Sequence, residues 1–341
     1  VSAAAIPAGA IETYESALAW LTGLSGRGMR LGLSRTQSLL AAMGNPQEGL
    51  TGALVAGTNG KGSVCAFTES ILRAAGLRTA LMVKPHLESY RERICLNADP
   101  VSRETFARAL ARVAAAAATL EEGPSEFEAL TAAGVWVAAS EHVDSLVCEV
   151  GLGGRLDSTN VLDLGSVAVT EIGLDHMQQL GSTIPEIAGE KAAVIKAGNA
   201  VVASCSGDAL EVVRARCAEV GAHLLDPAFE ITLERAGLHG SLAEVRPTAA
   251  GGPRLSLVRL PLAGRYQAAN AAAAATLARE VLRRRGLNLG SEVLRQGLEA
   301  ATWPARLELF PGSPDVVLDG AHNPAALRAC LAEIAALAPG R

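Results

Sequence analysis

Lys61 stands in the run Ala56-Gly57-Thr58-Asn59-Gly60-Lys61-Gly62-Ser63, whose residue types suit the grip of a phosphate. Glycines let backbone N–H groups converge on an anion, and a helix N-terminus adds positive potential. The Lys61 amine can neutralise β- and γ-phosphate oxygens, and the Ser63 hydroxyl can bind Mg²⁺. The spacing departs from the common GxxxxGK[ST] pattern. Gly62 lies between Lys61 and Ser63, and Gly57 falls three residues before Gly60. An ordinary Gly-rich strand–helix turn is the competing reading. A Lys and a Ser at the helix entry weigh against it.

Three more residues carry chemical potential. Glu149 closes an apolar run and precedes Gly151-Leu152-Gly153-Gly154-Arg155-Leu156-Asp157. A carboxylate inside an apolar strand is costly unless paired or bound to metal, so Glu149 is a candidate Mg²⁺ ligand or a salt-bridged strand end. His176 ends Gly173-Leu174-Asp175-His176, after another apolar run. Alone, a histidine is more often structural than functional. Lys191 follows Glu190 on an expected helix. Near phosphates and metals it is either a plain anion partner or a carrier of CO₂ as a carbamate, which needs a neutral amine.

The elements that position these residues alternate between strand and helix. Expected strands are Gly52–Ala56, Thr79–Val83, Ser145–Val150, Ser166–Ile172 and Ala200–Ser204. Expected helices run from the glycine loop to about Ala75, and over Ser102–Leu120, Phe127–Ser140, Thr183–Lys196, Ala209–Val220 and Gln267–Arg285. That alternation predicts an α/β fold with a mainly parallel sheet flanked by helices. Ligands of open α/β sheets bind at the carboxyl ends of the strands, so the loops of Lys61, Glu149 and His176 are expected at one sheet edge. Between Leu224 and Leu262 the pattern alternates around Gly251-Gly252-Pro253, which predicts an antiparallel hairpin region. Trp303-Pro304 reads as a linker, and Asp315–Asp319 as the first strand of a second α/β unit.

Composition narrows the classes. The chain has 341 residues, a formal charge of −5, 49% apolar and 19% charged residues. At roughly 150 residues per domain that suggests about two domains, with ample material for buried cores. The weak acidity argues against a duplex nucleic-acid binder, which needs a basic face. No apolar run reaches the roughly 18–20 residues that span a bilayer. Cys65, Cys95, Cys148, Cys205, Cys217 and Cys330 form no CxxC pair, so they are expected as buried thiols in a reducing compartment. The expected setting is therefore cytoplasmic, with neither nucleic acid nor membrane as partner.

A longer series of motifs then becomes visible. It comprises Met29-Arg30-Leu31-Gly32-Leu33, Gly57–Ser63, Pro85-His86-Leu87 with Glu92-Arg93-Ile94, and Phe127-Glu128-Ala129-Leu130-Thr131. It continues with Glu149–Asn160, Gly173–His176, Glu190–Lys196, Gly264–Asn270, Trp303–Glu308 and Asp319–Pro324. In this ordered set the chain resembles the ATP-dependent folylpolyglutamate synthase / dihydrofolate synthase family, a branch of the Mur ligases. Gly62 separates it from the peptidoglycan ligases, which tend to carry Thr there.

The resemblance implies a Mur-ligase central domain with P-loop-type topology over residues 1–300. Residues 301–341 would be the start of a second C-terminal α/β domain, incomplete and truncated. It implies addition of L-glutamate to dihydropteroate, to the γ-carboxylate of reduced folate polyglutamates, or to both, through an acyl phosphate, with release of ADP and phosphate. Gly57, Thr58, Asn59, Gly60, Lys61, Gly62 and Ser63 would bind ATP phosphates, and Asn270, Arg306 and Asp319 the rest of ATP. Ser63 and Glu149 would hold Mg²⁺ and His176 a second Mg²⁺, with room for K⁺. Lys61, Lys191 and His176 would serve catalysis, Lys191 as a carbamoylated lysine. Phe127, Glu128 and Asp157 would lie near the pterin. The substrates would be small molecules and the chain a monomer. Two departures stand out. Lys84 replaces the family's Ser before Pro-His-Leu, a metal-binding position, and a cation there cannot ligate a metal. It is expected either to meet a phosphate or substrate carboxylate, or to remain solvated. The second departure is the short segment after Trp303. Another Mur-type amide ligase and an ATP-binding module without ligase activity are the alternatives.

Overall fold

The computed structural model describes residues 11–25, 32–249 and 254–338. The first third holds α1 (Tyr14–Thr22), α2 (Ser34–Ala42), β1 (Gly52–Ala56), α3 (Lys61–Ala74), β2 (Thr79–Met82), β3 (Ile94–Leu96), β4 (Asp99–Pro100) and α4 (Arg103–Ala117). Then come α5 (Glu126–Ser140), β5 (Ser145–Glu149), β6 (Gly165–Val169), α6 (Met177–Leu180), α7 (Ile184–Ala192), β7 (Ala200–Ala203), α8 (Asp208–Val220) and β8 (His223–Leu224). The last third holds β9 (Phe229–Arg235), β10 (Ser241–Pro247), β11 (Leu255–Leu260), α9 (Tyr266–Arg284), α10 (Ser291–Glu299), β12 (Glu308–Phe310), β13 (Val316–Leu318) and α11 (Pro324–Leu337).

Eight strands form one sheet in the order β4-β3-β2-β5-β1-β6-β7-β8. From β2 to β8 all neighbours are parallel, and β3 and β4 add an antiparallel edge. Central β1 is apolar throughout and buried on both faces. Ala53 and Val55 join one core with α3, α9 and α10, while Leu54 and Ala56 join the other with α4 and α5. That is the period-two alternation of a strand covered by helices on both sides. The register pairs Val55 with Glu149 and with Ala168, so β1, β5 and β6 end level and their following loops share one edge.

Local chemistry sets several helix starts. Ser125 and Thr183 form capping boxes that open α5 and α7, and Ser102 caps α4. Some expected spans are longer than the observed elements. Helix α7 stops at Ala192, and β6 at Val169. Beyond these ends the chain turns to other partners: Lys196 Nζ donates to Asn160 Oδ1 and Leu162 O, both at 2.8 Å. The region expected as a hairpin is a three-stranded antiparallel sheet, β11-β10-β9. Its Gly251–Pro253 lies outside the described residues, as do Met29, Arg30 and Leu31.

Strand β13 falls within the expected Asp315–Asp319 segment, but it pairs antiparallel with β12 before α11 begins. Ala263, Leu307 and Cys330 form a small core beneath this unit. Phe310, Val316, Leu318, Leu327 and Leu331 are exposed on it. All six cysteines are free and buried. Among the described residues no helix is long and apolar enough to cross a membrane.

Candidate active site

The glycine loop leaves β1 and turns into α3 through Gly60, the N-cap residue, at φ 85°. The Thr58 N–H bonds Glu171 O at 2.8 Å, which anchors the loop to the segment after β6. The N–H groups of the first turn of a helix have no intrahelical acceptor, so those at Lys61, Gly62 and Ser63 are open to an anion. Gly62 has a packing reason: a β-carbon there would lie 2.7 Å from Trp303 Nε1. Trp303, expected as a linker, instead presses its indole against the phosphate loop.

Lys61 Nζ donates to Thr58 O at 3.1 Å and lies 4.0 Å from Glu149 Oε1. Glu149 is buried at the end of β5, and its Oε2 accepts the Lys84 backbone N–H at 3.2 Å. Burial pushes the Glu149 carboxyl above its ordinary range, with Lys61 and the Lys84 N–H opposing the shift. Such a carboxylate gains from any further cation brought beside it. Ser63 Oγ accepts from Gln267 Nε2 at 3.2 Å.

Lys191 lies on α7, is 4% exposed, and donates from Nζ to Gly57 O at 2.8 Å. Burial first, then the nearby Lys61 charge, pushes its amine down to about 7. The loop after β5 is tied to the same helix. Arg155 N bonds Glu190 O at 2.9 Å, and Arg155 Nε bonds Glu190 Oε1 at 2.9 Å.

The three residues expected near a pterin lie on the other flank of the cleft. Asp157 accepts N–H groups from Gly151 at 3.1 Å and from Leu152 and Thr159, each at 3.0 Å. Glu128 pairs with Arg35 NH2 at 3.0 Å and closes the α5 capping box. Phe127 carries Lys84 Nζ over its ring, 3.6 Å from the centroid. Lys84 is held below the ordinary lysine range by burial, with Asp157 pulling the other way.

The remaining expected residues come from three further segments. His176 has φ 49°, is half exposed, and its Nε2 lies 3.8 Å from Asp175 Oδ1. Asn270 donates to Gln267 Oε1 at 2.9 Å. Asp319 accepts from Leu307 N at 2.9 Å and Ala321 N at 2.7 Å, and Arg306 NH1 donates to Ala305 O at 2.8 Å. The structure brings all of these to one cleft of about 1300 Å³. That volume exceeds the usual single-ligand pocket and accommodates two sizeable molecules.

Two positioning residues escaped the sequence reading. Gln267 is fully buried and links Asn270 to Ser63. A Gln three residues before Asn270, at the start of an Ala-rich stretch, was its signal. Asn323 caps α11 and donates from Nδ2 to Asn59 Oδ1 at 3.0 Å and Asp175 Oδ2 at 3.1 Å. It fastens the C-terminal unit to both the phosphate loop and the His176 loop.

Comparison with known proteins agrees with this architecture. The Mur ligase middle domain matches residues 55–278. A Bacillus subtilis dihydrofolate synthase/folylpolyglutamate synthase is 38% identical over 91% of this chain and 73% of its own length. A Halobacterium salinarum probable bifunctional folylpolyglutamate synthase/dihydropteroate synthase is 38% identical over 94% of this chain, which spans only 39% of that protein. A solved FPGS–AMPPCP–folate complex superposes with a TM-score of 0.88 at 35% identity, covering 96% of this chain and 81% of that one. The chain belongs to the folylpolyglutamate synthase / dihydrofolate synthase family of Mur ligases.

Proposed function

We propose that this chain is an ATP-dependent ligase that joins L-glutamate to a carboxylate of dihydropteroate, to the γ-carboxylate of a reduced folate, or to both. One observation carries the reading: Lys61, the open first turn of α3 and the buried Glu149 face the same cleft as Phe127, Asp157, Arg306 and Asp319. The cleft, about 1300 Å³, is larger than a single-ligand pocket, and a relative is solved with AMPPCP and folate.

A carboxylate is a poor electrophile toward an amine. One of its oxygens attacks the γ-phosphorus and ADP leaves. The glutamate amine then attacks the acyl carbon, loses a proton, and phosphate departs with the former carboxylate oxygen. The chain's part in the first step is positioning and charge neutralisation. Lys61 and the α3 amides meet the terminal phosphoryl group, whose charge spreads in the transition state. Asp319, Arg306 and Asn270 serve the remainder of the nucleotide.

Ser63 and Glu149 line the same cleft and offer hard oxygen donors, a chemistry that suits Mg²⁺ shared with phosphate oxygens and water. His176, half exposed on the loop after β6, would hold a second Mg²⁺. When bound, the ion would offset phosphate charge. Lys191 is suited to accept CO₂ as a carbamate, because its buried amine is held near 7. Closure of the C-terminal unit through Asn323 would keep water from the acyl phosphate.

The test is phosphate release from ATP with glutamate plus dihydropteroate or tetrahydrofolate, each supplied separately. Release that requires both glutamate and one pteroyl substrate supports the reading. Hydrolysis indifferent to both, or none at all, contradicts it.

A further inference from the structure

Lys84 is the one cleft cation whose hydrogen-bonding capacity is unspent among Lys61, Lys84 and Lys191. Lys61 and Lys191 each donate to a backbone carbonyl. Lys84 Nζ is buried and donates to no atom of the described residues. The nearest carboxylate, Asp157, is 4.0 Å away at Oδ1, and that residue already accepts from three backbone amides. The ammonium rests on the Phe127 ring at 3.6 Å and fills the space over Gly151, where a β-carbon would lie 2.8 Å from it. A buried charge with three unused donors costs stability, so the arrangement is built for an anion that arrives later.

Residue usage points the same way. The chain contains only four lysines, Lys61, Lys84, Lys191 and Lys196, against 26 arginines. Where a positive charge merely solvates the surface, this chain uses arginine. At position 84, in the cleft, it uses a compact ammonium instead.

The position selects the anion. The Lys84 backbone N–H bonds Glu149 Oε2 on the phosphate flank, while its side chain reaches Asp157 and Phe127 on the opposite flank. The terminal phosphoryl already has Lys61 and the α3 amides. A group bonded to Lys84 Nζ would sit between that phosphoryl and an aromatic wall. We propose that Lys84 binds the acceptor carboxylate of the pteroyl substrate and holds it toward the nucleotide. This rests on the functional reading above and assigns to this chain's own lysine the binding of the group to be activated.

The experiment measures equilibrium binding with Mg-AMPPCP saturating. It uses whichever of dihydropteroate or tetrahydrofolate supports phosphate release, and the analogue with the acceptor carboxylate converted to carboxamide. Lys84→Met keeps the stem and removes the charge. Loss of a charge-assisted hydrogen bond should raise the Kd of the acid about 10- to 100-fold. The carboxamide and AMPPCP should bind as in the parent chain. Equal losses for acid and carboxamide overturn the proposal in favour of packing on Phe127. Weakened AMPPCP with an unchanged acid overturns it in favour of a phosphate contact. Should the variant fail to fold, the parent chain alone decides: it must prefer the acid over the carboxamide by at least tenfold, and equal affinity overturns the proposal. If neither pteroyl substrate supports release, the functional reading fails and takes this inference with it. Release by the parent without the acid preference defeats the inference alone.

Discussion

Replacing Lys191 with Met should stabilise the protein at neutral pH and flatten its pH dependence. The lysine is 4% exposed, and its amine is pushed from the ordinary 10.5 down to about 7. In the unfolded chain it returns to its ordinary value. Between those two values the unfolded state binds the extra proton, so stability rises with pH across about 7 to 10.5. Below about pH 7 the full cost of burying the charge is present. At about 1.36 kcal/mol per pH unit, the drop from 10.5 to about 7 costs of order 4–5 kcal/mol. Met keeps the length of the stem and loses the bond to Gly57 O, worth about 1 kcal/mol. The net expectation is a gain of order 3 kcal/mol at pH 7, shrinking to about 1 kcal/mol by pH 9. Urea unfolding of parent and Lys191→Met in CO₂-free buffer at pH 6, 7, 8 and 9 reads this directly. Parallel profiles for the two proteins, or a variant less stable at pH 7, would refute the reasoning.

Three further outcomes are expected. Gly62→Ala drives a methyl into the Trp303 indole and should cost about 1–3 kcal/mol in thermal or denaturant unfolding. Trp303→Ala should absorb most of that cost, so a double-mutant cycle with no coupling would show that the contact is not tight. Asn323→Ala removes a helix cap and two ties to the phosphate and His176 loops. It should cost about 1 kcal/mol of stability and raise proteolysis of α11, and unchanged proteolysis would count against the tie. Lys61→Ala should lower kcat/KM for ATP at least about 100-fold, and parent-like turnover would contradict its place beside the phosphoryl group.

Much of the catalytic half was legible because short-range rules govern it. The apolar run of β1, the Gly-rich turn and the helix that follows are set within a few residues of one another. The same holds for Glu149 at the end of β5 and for the strand–helix alternation that brings its loop beside the first. What remained hidden depends on distant partners. Gln267 meets Ser63 across 204 residues, and Asn323 meets Asn59 across 264. No local pattern encodes either pair. Trp303 next to Pro304 carries the features of a connector, and only packing against Gly62 gives it a role. Helix α7 ends at Ala192, and Lys196 beyond it bonds Asn160 and Leu162, partners far from it in sequence. Strands β3, β4 and β8 are two or three residues long, too short for periodicity to register. Lys84 was visible as an unusual residue, but its seat between Phe127 and Asp157 required the folded cleft.

Oxygen transfer gives the most direct test of a carboxylate activated at the phosphate loop. The pteroyl substrate is labelled with ¹⁸O in its acceptor carboxylate and incubated with the chain, ATP, Mg²⁺ and glutamate. The released phosphate should carry one labelled oxygen per molecule. Unlabelled phosphate, released in step with product, would contradict phosphoryl transfer to that carboxylate.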